Sequence, residues 1–195
     1  MNIISKIKWI SSIFLIFLIV LATNLIDKKN FNKLSYSIKT IYEDRIVASD
    51  ILYEISKVIR IKEIAIISSK ESFHKNEIYS NIEIDSLIKK YYQTKHTNKE
   101  YFIFKQLKDE LASLKRIEQN YKSLEKEKSL LIINNIHKYI YQLFKIQLEE
   151  SRRQVFISEN ATESINFFTK FEFIFLILMA ILILVIIFYK SKETL

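Results

Sequence analysis

The most constraining feature of this sequence is an omission. Its 195 residues include no glycine and no proline. A chain of average composition and this length would carry about 23 of the two together. Without glycine no residue enters positive φ cheaply, and without proline no turn is preset. Sandwiches, barrels and doubly wound sheets depend on many tight turns, which this chain is poorly equipped to make. Gly-rich phosphate loops are absent outright. Cysteine is absent as well, which removes disulfides, thiolate catalysis and Cys-based zinc sites. The composition points to an all-α chain.

Apolar residues are 49% of the sequence, and their placement matters more than their number. Residues 10–26 carry no charge, and neither do residues 173–189. Each run would span about 26 Å as helix, against a bilayer core of roughly 30 Å. Trp9 and Tyr189 extend the runs and suit the membrane interface. Lys6 and Lys8 precede the first run, and Lys190 and Lys192 follow the second. Basic flanks on both short tails place both tails on the cytoplasmic side. A basic start before an apolar stretch fits either a retained anchor or a signal peptide cut after Ala22. Retention is favoured because the helical pattern runs on past Ala22. The expected organisation is a tail at 1–8, a transmembrane helix at 9–26 and an outer domain at 27–172. A second transmembrane helix at 173–189 and a short tail at 190–195 complete it.

The outer segment has the period of helices. Leu34, Ile38, Ile41, Arg45, Ala48, Leu52, Ile55, Ile59, Lys62 and Ile66 alternate steps of four and three. That is an a/d seam, with Arg45 and Lys62 as its charged exceptions. Ser68 with Glu71 and Thr97 with Glu100 fit capping boxes and mark two turns. A third break is expected within Ser123 to Ser129, because the chain must return to the membrane. The result is four helices near 28–68, 74–94, 98–122 and 127–172. They would form an antiparallel up-down bundle whose long first and last helices continue into the two anchors. The short middle hairpin covers only the distal half of the long helices. Apolar surface left on the proximal half calls for a partner, most simply a second copy in a homodimer.

Catalysis has little to work with. His74, His96 and His137 are far apart, and none forms a metal pair at helical spacing. Adjacent acids such as Glu43-Asp44 and Glu149-Glu150 point to different helix faces and read as solvated charge. No catalytic residue, metal site or cofactor is expected, and the chain is read as a non-enzyme. The net charge of +8 is spread among alternating acids and bases, which does not make a nucleic-acid stripe. Lys28, Lys29 and Lys33 would meet lipid headgroups just outside the first anchor.

Arg45 is the informative residue, because a charge on a core-facing seam is costly unless paired. The last helix has its own seam: Ile133, Ile136, Ile140, Leu143, Gln147, Glu150, Gln154, Ile157, Ala161, Ser164 and Phe168. Gln147, Glu150 and Gln154 form its polar patch. Two antiparallel helices leaving the membrane near residues 27 and 172 put Arg45 level with Gln154. Glu150 is then about 6 Å higher, within reach of a guanidinium. The expectation is an Arg45–Glu150 pair; the alternative is an arginine that snorkels to solvent.

The segment Ile41-Tyr42-Glu43-Asp44-Arg45-Ile46-Val47-Ala48, followed by Leu52, Tyr53, Glu54 and Ile55, resembles the first outer helix of a known family. This is the four-helix-bundle sensor domain of methyl-accepting chemotaxis receptors. Tyr42, Asp44 and Arg45 carry the likeness, and the order of anchor, long helix, hairpin, long helix and anchor matches. The resemblance implies a dimer in a bacterial inner membrane. Its bundle would be periplasmic, sensing an unnamed ligand or partner and passing a signal through the second anchor. Full receptors continue into a cytoplasmic hairpin, whereas six residues follow Tyr189 here. The expectation is therefore a stand-alone module acting through another membrane receptor or an envelope protein. The alternative is a structural scaffold or assembly factor of a membrane complex, with no ligand. A sensor should keep a polar pocket between its helices in its distal half, and a scaffold should have a dry seam there.

Overall fold

The structure, a computed structural model, describes residues 3–68, 73–119 and 126–192. Regular structure among the described residues is helical throughout. The elements are α1 (Ile3–Thr40), a π-helical segment (Ile41–Ile46), α2 (Val47–Ser68), α3 (Phe73–Tyr91), α4 (Asn98–Gln119) and α5 (Lys126–Lys192). The chain divides into two compact units: Met1–Ile38 with Phe156–Leu195, and Lys39–Val155. The expected limits of the outer domain, 27 and 172, both fall inside the first unit.

In the second unit, four helices supply one core. Leu52, Ile55 and Ile59 come from α2, Ile84 and Tyr91 from α3, Phe104 and Leu107 from α4, and Ile133, Ile136 and Leu143 from α5. The a/d spacing read from the sequence is the cause, since each set recurs at steps of three, four or seven residues and so shares a helix face. On α5 the expected seam is buried or half-buried along its whole length, Phe168 included.

Helix ends show how a chain without glycine turns. The last turn of α3 tightens instead of closing on a left-handed residue. Gln93 N–H donates to Lys90 O at 3.0 Å and Thr94 N–H to Tyr91 O at 3.1 Å. Such i to i+3 bonds satisfy terminal carbonyls without positive φ. Lys89 and Lys90 in that turn suit the negative end of the helix. The chain restarts at the expected capping box. Glu100 N–H donates to Thr97 Oγ1 at 3.1 Å, and Thr97 N–H donates to Glu100 Oε2 at 3.2 Å.

Ser68 is the last residue of α2, and its hydroxyl donates back to Ala65 O. It does not cap α3, which starts at Phe73; its expected partner Glu71 lies outside the described residues. Of the break expected over Ser123 to Ser129, Lys126 to Ser129 are already helical in α5. The residues before Lys126, Ser123 among them, lie outside the described residues.

The expectation of one unbroken seam in the first long helix fails at Ile41–Ile46. Val47 N–H bonds to Tyr42 O, five residues back. A π turn takes in one residue more than an α turn. C-terminal to it the seam holds: Arg45, Ala48, Leu52, Ile55, Ile59, Lys62 and Ile66 are all buried. Immediately N-terminal to it Ser37 and Thr40 are buried, and Ile38 is 56% exposed. The buried face steps from Thr40 to Arg45, and the wide turn absorbs the extra residue.

In the first unit the buried face of α1 is polar. Thr23, Asn30 and Ser37 are buried at seven-residue intervals. Asn30 Nδ2 donates to Ser164 Oγ at 2.9 Å, and the Thr23 hydroxyl bonds the Glu172 carboxylate. Phe14, Leu15, Phe17 and Leu18 on α1 are exposed, as are Phe173, Ile174, Leu176 and Leu178 on α5. Among the described residues α5 is long and apolar enough to cross a membrane, and the apolar stretch that qualifies it is unburied.

Candidate functional site

The densest polar cluster in the core is built around Arg45 and Glu100, which are 4% and 0% exposed. The π segment supplies Arg45, the capping box at the start of α4 supplies Glu100, the end of α3 supplies Tyr91, and α5 supplies Gln147. Arg45 Nη1 donates to Glu100 Oε2 and to Gln147 Oε1, each at 3.0 Å. Tyr91 Oη donates to Glu100 Oε1 at 2.8 Å, and Gln147 Nε2 donates to the same oxygen at 2.6 Å. Gln147 Nε2 also lies 3.0 Å from Tyr91 Oη. Glu100 thus accepts from Arg45, Tyr91, Gln147 and the Thr97 backbone. A carboxylate is tolerated in a core only when its oxygens are matched in this way.

Two consecutive side chains of the π segment grip one residue of the α3–α4 connection. Asp44 Oδ1 accepts from Lys95 N–H at 3.1 Å, and Arg45 Nη2 donates to Lys95 O at 2.8 Å. Both side chains come from consecutive positions of the π turn. Arg45 Nε is buried with no partner among the described residues.

His96, in the same connection, sits among aromatic rings. Its centroid is 5.0 Å from Tyr91, 5.9 Å from Phe104 in a stacked arrangement, and 6.3 Å from Tyr92. Nε2 is buried and has no partner among the described residues. Burial holds the imidazole below its ordinary pKa. Arg45 pushes the same way, while Glu100, a hydrogen bond to the Tyr91 backbone and Asp44 pull against it. Burial, followed by the neighbouring Glu100 carboxylate, pushes the Tyr91 phenol well above the usual phenol range.

A second buried pair lies further along the same helices. Lys62 Nζ is 2.8 Å from both oxygens of Glu118 and 3.1 Å from Asn81 Oδ1. Asn81 Nδ2 donates to Glu118 at 3.2 Å. Both charged exceptions on the first seam are therefore buried and matched by acids of α4.

The expected Arg45–Glu150 pair is corrected by this geometry. The carboxylate against Arg45 is Glu100, and α5 contributes Gln147, one turn before Glu150. Glu150 instead meets Arg153 on its own helix at 3.3 Å. The physical reason is that the α3–α4 connection reaches the level of Arg45 and places Glu100 inside the core. Arg45 does not snorkel. Of the other motif residues, Asp44 holds the loop and Tyr42 is exposed. His137 is half-buried, 3.3 Å from Glu63, and the side chain of His74 lies outside the described residues. No group of metal-ligating side chains occurs among the described residues.

Sequence reasoning missed Glu100 and Glu118 as ion-pair partners, although a signal was present. Glu100, Ile103, Leu107, Leu111, Leu114 and Glu118 recur at steps of three and four, and all are buried. Two acids thus bracket the seam of α4 at nearly the spacing of Arg45 and Lys62 on the first seam. A scan of protein-family models, a search of curated proteins and a search of solved structures each return no match.

Proposed function

We propose that this chain is a membrane-anchored sensory module built as an up-down four-helix bundle. It is dimeric in a bacterial inner membrane, with the bundle outside and both tails in the cytoplasm. The observation that carries the reading is the grip of Asp44 and Arg45 on Lys95. The two residues central to the resemblance are the ones that tie the first long helix to the α3–α4 connection. Arg45 also reaches Gln147, on the helix that contains the apolar stretch. A shift of that connection would change the Arg45 contacts and move α5 along or about its axis, a change of the helix-shift type. Its output is motion delivered to another membrane protein, not a chemical product.

The order of the ion pairs supports the up-down topology. Arg45 meets Glu100 and Lys62 meets Glu118, which suits α2 and α4 running in the same direction. Gln147 beside Arg45 and His137 beside Glu63 suit an α5 running the other way. The polar clusters around Arg45 and Lys62 depart from the dry seam expected of a scaffold.

The test is capture of the tagged full chain from native membranes after crosslinking in place. Recovery of a receptor with a kinase-coupled cytoplasmic region supports the proposal. Recovery of the subunits of an envelope assembly machine contradicts it.

A further inference from the structure

We propose that His96 is the pin of an acid-released latch: protonation of its ring frees the α3–α4 connection from Asp44 and Arg45. The latch consists of the two bonds to Lys95, one to its N–H and one to its carbonyl. The adjacent residue, His96, fills a box formed by Tyr91, Tyr92 and Phe104. As a neutral ring it behaves there as another aromatic side chain. As an imidazolium it carries N–H donors on both ring nitrogens, and the buried Nε2 has no acceptor among the described residues. An unmet charged donor at buried Nε2 is expensive even in a half-buried ring, and swinging the ring into water relieves it. That swing moves the chain at Lys95.

The charged and titratable neighbours of His96 come from several elements. The π segment presents Asp44, which favours the charged ring, and Arg45, which opposes it. From α4, Glu100 favours it, but that carboxylate is already engaged by Arg45, Tyr91 and Gln147. From α3 come the phenol of Tyr91 and its backbone carbonyl, which accepts from the His96 ring and favours the charged form. From the connection comes the phenol of Tyr92, with Lys108 of α4 4.9 Å above the Tyr92 ring. From α5 the uncharged Gln147 reaches this cluster, bonded to Glu100 and Tyr91. Burial decides the balance, in favour of the neutral ring. The device does not depend on the sensory reading, since a scaffold with the same loop would also loosen in acid.

The absence of native cysteine permits the test in the full chain, in lipid nanodiscs. Spin labels go on Glu43→Cys and Gln93→Cys, both at exposed positions, and distances are read by pulsed EPR between pH 8 and pH 5, where histidine titrates. The expected result is a shift to longer, broader distances as the pH falls. His96→Phe, which keeps the ring and cannot protonate, should abolish the shift. His74→Gln with His137→Gln should keep it. His96→Leu is the replacement control if the phenylalanine variant loses helicity. An unchanged distance in the parent chain, or an undiminished shift in the folded His96 variant, overturns the proposal.

Discussion

Arg45 and Glu100 lie 55 residues apart in sequence and 3.0 Å apart in space, with essentially no exposure to water. A pair of this kind holds elements together less by its own strength than by the cost of stranding either member. Removing one partner costs about 3–5 kcal/mol, whereas matched apolar replacement of both is often neutral or better. Arg45→Ala should therefore lower the denaturation midpoint of the full chain in detergent by that order. Arg45→Met with Glu100→Leu should recover much of it, as read by circular dichroism. Equal losses in the single and double variants would show that the charges are not coupled.

Glu150 serves as the contrast. It is partly exposed and meets Arg153 within one helix, an arrangement worth about 0–1 kcal/mol. Glu150→Ala should leave the midpoint nearly unchanged under the same conditions. A loss as large as that of Glu100→Ala would reinstate the α5 carboxylate as the partner of Arg45.

At the start of α4, Thr97 and Glu100 cap each other's backbone. Thr97→Ala should cost about 0.5–2 kcal/mol, and Thr97→Ser much less, because the cap needs only the hydroxyl oxygen. Chemical denaturation of the three chains side by side measures this directly.

Stability should fall at both ends of the pH range. His96 has a folded pKa below its ordinary 6.5, so the unfolded chain binds the proton more readily. Its contribution is full above pH 6.5 and is lost as pH falls toward the folded value. Tyr91 is the opposite case. Its folded pKa lies above the ordinary 10.0, so its contribution is full below that pH and is lost as pH rises beyond it. Denaturation midpoints measured against pH should show both flanks. His96→Phe should flatten the acid flank through the histidine range, and Tyr91→Phe the alkaline one.

Most of the fold was legible because helix periodicity is a local property. The seams of α2 and α5 could be read from every third or fourth residue, and Thr97 with Glu100 marked a real helix start. The π turn was not legible. Ile41-Tyr42-Glu43-Asp44 continues an acceptable α pattern, and the extra residue shows only in which face is buried on either side. Ile38 illustrates the result, being apolar and on the expected seam yet exposed, while Ser37 is buried. The pairing of Arg45 was half legible. Its burial followed from the seam, but its partner depended on how far the α3–α4 connection reaches along the long helices. That is a tertiary fact, and only the matching spacing of Glu100 and Glu118 hinted at it.

The measurement that bears most directly on the membrane-anchored account is labelling of single cysteines in intact cells. Asn98→Cys and Ser191→Cys each introduce the chain's only thiol. A membrane-impermeant maleimide should label the Asn98 variant in intact cells, and the Ser191 variant only after the inner membrane is opened. Labelling of both positions from the same side of the membrane would contradict the two-anchor topology and, with it, relay of helix motion across the bilayer.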